Sequence, residues 1–218
     1  MNRARLLVFI AALPAATPAF AQSPPRLLLD VGAVVVGAAG AGSATANYTA
    51  PDGSPVPLFS LSKSVAPAIG VNTHLQIRLT PRVALEVTGE WTRPNLRTKL
   101  SGDADGADNV TATQPVHRFV LGGGAVVRLK PFGKWHTFTR ASVGWLRELS
   151  DDLTLYQDGW VVQAGGGANY QWQEKRGHLR PYAIRTDLWL DIRQGGLKFS
   201  TKPRLFAPAF SAALILKL

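Results

Sequence analysis

The residues of this chain that could act as acid, base or nucleophile are four histidines and scattered serines and aspartates. A histidine and a serine two residues apart share one face of a strand, where the imidazole can activate the hydroxyl. The histidines are His74, His117, His136 and His178, and no serine lies two residues from any of them. Of the four, His117 is predicted to lie near loop residues such as Ser101 and Asp108. The sequence therefore favours a non-enzymatic protein, with a hydrolase or acyltransferase as the alternative.

A cluster of aspartates in SGDADGADN (101–109) is the strongest sequence candidate for a metal site. The segment lacks the ligand spacing and the final glutamate of an EF-hand loop, so we interpret it as a solvated, turn-rich loop. The chain has no cysteine, which excludes disulfides, zinc–thiolate sites and cysteine nucleophiles. We therefore expect no metal and no cofactor.

The first 21 residues have the order of a secretory signal peptide. Arg3 and Arg5 precede the apolar run LLVFIAAL, and small residues follow as far as Ala21. Cleavage is expected between Ala21 and Gln22, which gives a signal peptide over 1–21 and one domain over 22–218. The apolar run is too short for a membrane-spanning helix, which needs about 20 residues.

Positive charge dominates the chain, with a formal net charge of +10 that falls to +8 once Arg3 and Arg5 are removed. Such an excess favours an anionic partner. For an exported protein, lipid headgroups and lipopolysaccharide phosphates fit this charge better than nucleic acid does. The sequence has no basic and aromatic patch suited to stacking bases.

Alternation of apolar and polar residues indicates the architecture. It occurs in eight segments, approximately 26–38, 65–80, 83–93, 115–130, 135–147, 157–172, 179–193 and 206–218. Short connections at 80–82, 131–134 and 173–178 alternate with longer ones at 39–64, 94–114, 148–156 and 194–205. This arrangement is typical of an antiparallel up-and-down sheet with compact turns at one end and mobile loops at the other.

One face of nearly every segment is apolar, and the other carries charge; Leu85 and Val87, for example, lie opposite Glu86 and Glu90. A soluble lipocalin-like barrel would turn the apolar face inward, whereas an outer-membrane barrel would turn it towards lipid. Aromatic residues near the strand ends favour the membrane barrel, because indole rings prefer the headgroup level. The predicted aromatic belt consists of Trp91, Trp135, Trp145, Trp160, Tyr170, Trp172 and Tyr182.

The fold predicted is all-β, an eight-stranded antiparallel up-and-down transmembrane β-barrel with short periplasmic turns and longer extracellular loops. The chain resembles the small eight-stranded outer-membrane barrels of the OmpA/OmpX kind. The likeness lies in the signal peptide, the turns within LTPRVALE and LKPFGKW, and the C-terminal strand FAPAFSAALILKL. It implies a monomer in the bacterial outer membrane, inserted by the barrel-assembly machinery that reads the last strand. That class usually ends in an aromatic residue, and this chain ends in Leu218.

Charges on the inward face are expected to pair and to fill the lumen. This predicted network consists of Glu86, Glu90, Arg118, Arg128, Arg140, Arg185, Asp187 and Asp191. The cations expected to reach lipopolysaccharide phosphates from outward loops are Lys63, Arg93, Arg97, Lys99, Lys198, Lys202 and Arg204.

The function expected is that of a structural or surface-interaction platform with mobile outward loops. Some barrels of the class that the chain resembles modify lipid A. A lipid A-modifying acyl hydrolase or acyltransferase is therefore the first alternative. A soluble periplasmic carrier of an apolar ligand is the second.

Overall fold

The structure, a computed structural model, describes residues 27–102, 108–172, 181–196 and 202–217. The predicted signal peptide and its expected cleavage site at Ala21 and Gln22 lie outside the described residues. Eleven strands make up the fold: β1 Leu27–Val36, β2 Ala39–Thr49, β3 Pro55–Val65, β4 Ala68–Arg78, β5 Val83–Thr92, β6 Asn95–Ser101, β7 Val110–Arg128, β8 Trp135–Ser150, β9 Tyr156–Gln171, β10 Pro181–Gly195 and β11 Leu205–Lys217. Within these residues, no helix has the length and apolar character needed to cross a membrane.

The all-β, antiparallel prediction is confirmed, but the count of eight strands is not. Each of the eight predicted segments coincides with a strand, namely β1, β4, β5, β7, β8, β9, β10 and β11. The connections at 39–64 and 94–114, predicted as mobile loops, instead contain β2, β3, β6 and the first residues of β7. Strands β2 and β3 are exposed on both faces over most of their length, so burial imposes no strong apolar alternation there, and β6 has only seven residues.

Eight strands close into a ring through antiparallel pairing. β1 pairs with β4, and the order continues through β5, β7, β8, β9, β10 and β11 back to β1. Closure leaves no free edge within the ring, so each ring strand has a hydrogen-bonded neighbour on both sides.

The remaining three strands form a second sheet with the start of β7, in the order β2–β3–β6–β7. Strand β7 belongs to both sheets. Its residues 110–115 pair with β6, and its residues 118–127 pair with β5. The second sheet is therefore a direct continuation of the ring wall.

Tight turns close the opposite end of the ring. The Thr80 hydroxyl accepts a hydrogen bond from the Val83 amide at 2.9 Å between β4 and β5. Between β7 and β8, Phe132 and Trp135 exchange backbone hydrogen bonds around Gly133, which has a φ of 60°. A positive φ suits glycine, because it has no Cβ to clash with the backbone. The two ends of the ring are thus different: turns at one, the second sheet at the other.

The large apolar side chains of the ring point outward, and most of its charged side chains point inward. Ile69 is 73% exposed and Val143 is 62% exposed, whereas Arg185 and Asp191 are fully buried. An apolar cluster closes the interior where the second sheet begins; it consists of Val34, Val36, Ala39, Val65, Leu96, Val116, Trp189, Ala207 and Ala209. Smaller apolar clusters, one of them containing Phe138, flank the charges nearer the turns.

The glycine run Gly122–Gly124 in β7 lies against β8. A Cβ on Gly124 would lie 2.1 Å from the Ala141 carbonyl oxygen and 2.6 Å from the Cα of Ser142. At Gly123 the nearest atom would be the Glu86 carbonyl oxygen at 4.0 Å. Close approach of the β8 backbone therefore requires glycine at position 124 but not at position 123.

Alanine substitutions at Gly124 and Gly123 should differ in their effect on the free energy of unfolding. Gly124→Ala forces the backbones of β7 and β8 apart, so we expect it to lower the free energy of unfolding by about 1–3 kcal/mol. Gly123→Ala is the matched control, with an expected change within about 0.5 kcal/mol. Urea unfolding of each purified variant, monitored by heat-modifiable migration on a gel, measures the two free energies of unfolding. Equal stability of the two variants would contradict the close approach.

Candidate functional site

Arg185 of β10 is the centre of the ring interior. Its Nη1 lies 2.7 Å from Asp30 Oδ2 of β1 and 2.7 Å from Glu86 Oε2 of β5. Its Nε and Nη2 donate to Asp187 at 2.7 and 2.8 Å. The Gln76 amide donates to both Asp30 and Glu86, at 3.2 and 3.0 Å. One guanidinium thus connects three carboxylates from three strands.

Arg140 of β8 extends this network across the interior. Its Nη2 donates to Gln163 at 3.0 Å, and its Nε lies 3.5 Å from Glu86 Oε1. Its guanidinium carbon lies 5.1 Å from the ring centroid of Trp189, within the range of a cation–π contact. Arg140 therefore joins side chains of β5, β9 and β10 to β8.

A second group of charges lies nearer the second sheet. Arg118 Nη2 lies 2.6 Å from Glu148 Oε1, and Arg193 Nη2 lies 2.5 Å from Asp191 Oδ2. The Trp189 indole donates to Asp191 Oδ1 at 2.8 Å. Trp189 is buried, in contrast to the outward tryptophans.

Glu90 differs from the other interior carboxylates. It is only 4% exposed, and neither of its carboxylate oxygens accepts a hydrogen bond from the described residues. A buried negative charge without a hydrogen-bond partner destabilises the fold.

The buried charges of the described residues are six carboxylates and four guanidinium groups; they are Asp30, Glu86, Glu90, Glu148, Asp187, Asp191, Arg118, Arg140, Arg185 and Arg193.

Seven of the eight residues predicted for the interior network are buried in the ring. The exception is Arg128, which is half-buried at the end of β7, where its amide donates to the Arg82 carbonyl oxygen at 2.7 Å. The predicted network omitted Asp30, His74, Glu148 and Arg193, which are also buried in the ring. Alternation within segment 26–38 could have revealed Asp30, whereas Glu148 lay beyond the predicted end of its strand.

Outward aromatic residues lie at two levels of the ring wall. Trp145 of β8 and Trp160 of β9 are cross-strand partners near the second sheet. Trp135 and Tyr170 are partners near the turns, with ring centroids 5.0 Å apart. The ten residues from Trp135 to Trp145 span about 25 Å along the ring axis at a strand tilt near 40°.

The other predicted belt residues are less exposed or not described. Trp91 and Trp172 are half-buried, and Trp91 stacks on His117 with ring centroids 6.1 Å apart. The side chain of Tyr182 lies outside the described residues.

His117 and Arg93 meet the same carboxylate at the rim. His117 Nε2 lies 3.7 Å from Asp151 Oδ1, and Asp151 also accepts a hydrogen bond from Arg93. The adjacent turn is held by Asp152, which accepts hydrogen bonds from Ser150 and Thr154 that keep the pKa of this aspartate below its usual range. The described ion pairs and hydrogen bonds of the His117 ring include no serine or threonine hydroxyl.

Several of the cations predicted on outward loops lie instead on strands. Lys63 is in β3, and Arg97 and Lys99 are in β6. Lys63 pairs across strands with Thr98, so it faces the side of the second sheet opposite to Arg97 and Lys99. The loop prediction was wrong for these three, because the connections that carry them form sheet.

The other predicted cations have different surroundings. Arg93 is bound to Asp151, and Lys202 and Arg204 are exposed before β11. Lys198 lies outside the described residues. Among the described residues, no group of three or more histidines or carboxylates is placed to hold a metal ion.

No family model and no curated protein matches this chain. Among solved structures, it is similar to the CymD monoaromatic hydrocarbon channel at 8% identity, over 90% of this chain and 89% of that chain, with a TM-score of 0.18. It is also similar to the TodX deltaS2S3 mutant monoaromatic hydrocarbon channel at 8% identity, over 89% of this chain and 91% of that chain, with a TM-score of 0.18. At these TM-scores the likeness carries no argument, so the reasoning about function starts from the ring itself.

Replacing the central guanidinium should destabilise the ring strongly. Arg185→Met leaves Asp30, Glu86 and Asp187 buried without their shared partner, so we expect the free energy of unfolding to fall by about 3–5 kcal/mol. Arg147→Met is the control, because Arg147 and its partner Asp158 are exposed, and exposed pairs contribute little. Urea unfolding in a lipid-like detergent measures both variants. Equal losses would contradict the central role of Arg185.

Two neighbouring glutamates of β5 should respond in opposite ways to the same substitution. Glu86→Gln weakens contacts with Arg185 and Arg140, and we expect it to cost about 1–3 kcal/mol. Glu90→Gln removes a buried charge that has no hydrogen bond, so we expect unchanged or increased stability. The same unfolding assay compares them, and a larger loss for Glu90→Gln would overturn this account of Glu90.

Proposed function

We propose that the ring spans the bacterial outer membrane as an eight-stranded β-barrel, with its turns in the periplasm and its second sheet outside the cell. We further propose that the protein is not an enzyme but a membrane-embedded platform that presents this sheet. The observation that carries the proposal is the polarity of the ring, with apolar residues outward and paired charges inward. Membership of the OmpA/OmpX kind of barrel is part of the same proposal.

The outward face suits lipid and does not suit water. Ile69, Leu121, Val143 and Leu188 belong to different strands of the ring, and each is more than half exposed. A contiguous apolar surface of this extent marks contact with a membrane or another protein. The closed ring also satisfies the backbone hydrogen bonds of its strands, as a lipid environment demands.

The outward side chains change from apolar to polar where the second sheet begins. This change supports a membrane boundary at the junction of the ring and the second sheet. Phe119 and Trp91, on the ring, are aromatic. Beyond them on the same outward side, Arg97 pairs with Thr113 and Lys99 pairs with Thr111. Lipid excludes such residues, whereas headgroups and water accommodate them.

The interior supports a closed barrel rather than a wide pore. Eight strands enclose a space that side chains can fill. In this ring the charges pair around Arg185, and apolar clusters lie on both sides of them. The same arrangement argues against the soluble carrier, whose apolar face would turn inward around its ligand.

Quenching by lipids brominated on their acyl chains tests the membrane assignment. In variants that retain one tryptophan, we expect Trp145 to be quenched strongly and Trp189 weakly, because Trp145 points outward and Trp189 is buried inside the ring. Fractionation of cells should place the chain in the outer membrane. A chain found in periplasmic extract without detergent, or quenching of Trp189 but not Trp145, would contradict the proposal.

A further inference from the structure

The outward face of the second sheet combines hydroxyls with cations. Side chains alternate across a strand, so residues that pair across strands share a face. Ser64 pairs with Arg97 and Ser62 with Lys99. On the other side of β6, Thr113 pairs with Arg97 and Thr111 with Lys99. The outward-facing residues of these two rows that the structure describes are Gly40, Ser43, Ser62, Ser64, Arg97, Lys99, Thr111 and Thr113, with no carboxylate among them.

A third cation reaches the same face from a different part of the chain. Gly40 of β2 pairs with Ser64, so it belongs to the row of Arg97. Lys202 Nζ lies 3.7 Å from the point where a Cβ on Gly40 would lie. Strands are spaced about 4.8 Å apart, so Gly40 and Arg97 lie about 10 Å apart across the face.

The opposite face of this sheet has a different character. It continues the buried apolar cluster through Val65 and Leu96, and carries Phe59, Leu61 and Leu100 further out. Its cation, Lys63, is therefore set among apolar residues and threonine. The two faces provide a comparison between cations of the same sheet.

The position of the outward face selects the partner. It lies on the same wall beyond Trp91 and Phe119, which pair across β5 and β7; Thr113 is six residues from Phe119, or about 20 Å along the strand. Aromatic rings prefer the headgroup level, so a face at this height above them meets the phosphates and sugars of the surrounding lipids. Hydroxyls and cations together match phosphate oxygens, which accept hydrogen bonds and carry negative charge.

We propose that this outward face binds a phosphorylated glycolipid of the same leaflet, the chemistry of lipopolysaccharide, through Arg97, Lys99 and Lys202. This inference rests on the proposed membrane-spanning barrel and narrows the expected cations to one face. Arg93 is not part of the site because it lies between β5 and β6, outside these rows, and Lys63 is not part of it because it faces the other side.

Lipopolysaccharide titration of the purified chain in lipid nanodiscs tests the site. Arg97→Gln with Lys99→Gln should weaken binding about 30-fold, since a cation near an anionic membrane surface contributes about 1 kcal/mol and each tenfold change corresponds to about 1.4 kcal/mol. Lys130→Gln with Lys134→Gln removes the same charge at the turn end, and Lys63→Gln alters the opposite face. We expect less than about a threefold change for either control, since neither removes a cation from this face.

Two further arms identify the ligand. Dephosphorylated lipopolysaccharide should bind weakly, and equally to the parent chain and the double variant. Inorganic phosphate at millimolar concentration should not displace intact lipopolysaccharide; full displacement would mean a site for soluble anions and would overturn the proposal. Equal weakening by the double variant and the turn-end control would also overturn it.

The membrane assignment is checked separately on the same samples. If Trp145 is quenched by brominated lipid and the double variant binds normally, the glycolipid site is wrong and the barrel stands. If Trp145 is not quenched, the barrel itself is wrong.

Discussion

An ionised group enclosed in a narrow closed ring is destabilising unless it is paired, and Arg185 pairs three of the enclosed carboxylates. Its guanidinium contacts Asp30, Glu86 and Asp187, which belong to β1, β5 and β10. Because these strands are not all neighbours, the contacts fix the cross-section of the ring as well as the pairing of its strands. A slip of one residue in any of them would move its charge to the outward face.

The same constraint explains why inside and outside are reversed relative to a water-soluble protein. Because charges occupy the middle of the interior, most of the large apolar side chains of the ring lie on its outer wall. The tryptophans follow the same distribution. Trp145 and Trp160 are cross-strand partners on the outer wall, whereas Trp189 points inward and donates a hydrogen bond to Asp191. At the level of the apolar cluster around Val65 and Leu96, the outward side chains are no longer apolar, and β3 presents serine hydroxyls there.

Sequence alternation could predict the parts of the fold where one face is buried and the other meets a contrasting environment. It located all eight ring strands and the inward parity of Arg185 and Glu86, because a period of two leaves a strong signal there. It could not locate β2 and β3, whose two faces are both largely exposed, or the short β6, which has only seven residues. Sequence alternation also could not predict long-range contacts. Nothing in the local sequence of Arg93 indicates that it binds Asp151, which lies 58 residues later. The assignment of Lys63 and Arg97 to opposite faces likewise depended on strands that the alternation did not show.

The second sheet depends on the ring for its own stability and orientation. A small sheet exposed on both faces buries little apolar area and is marginal in isolation. Here β7 runs without interruption from the ring into the sheet over 19 residues, and Val65 and Leu96 anchor β3 and β6 in the apolar cluster at the ring mouth. The ring thereby sets which face of the sheet points outward and how far above the aromatic residues it stands. A rigid wall of this kind can hold Arg97 and Lys99 at a constant height, which flexible loops could not do.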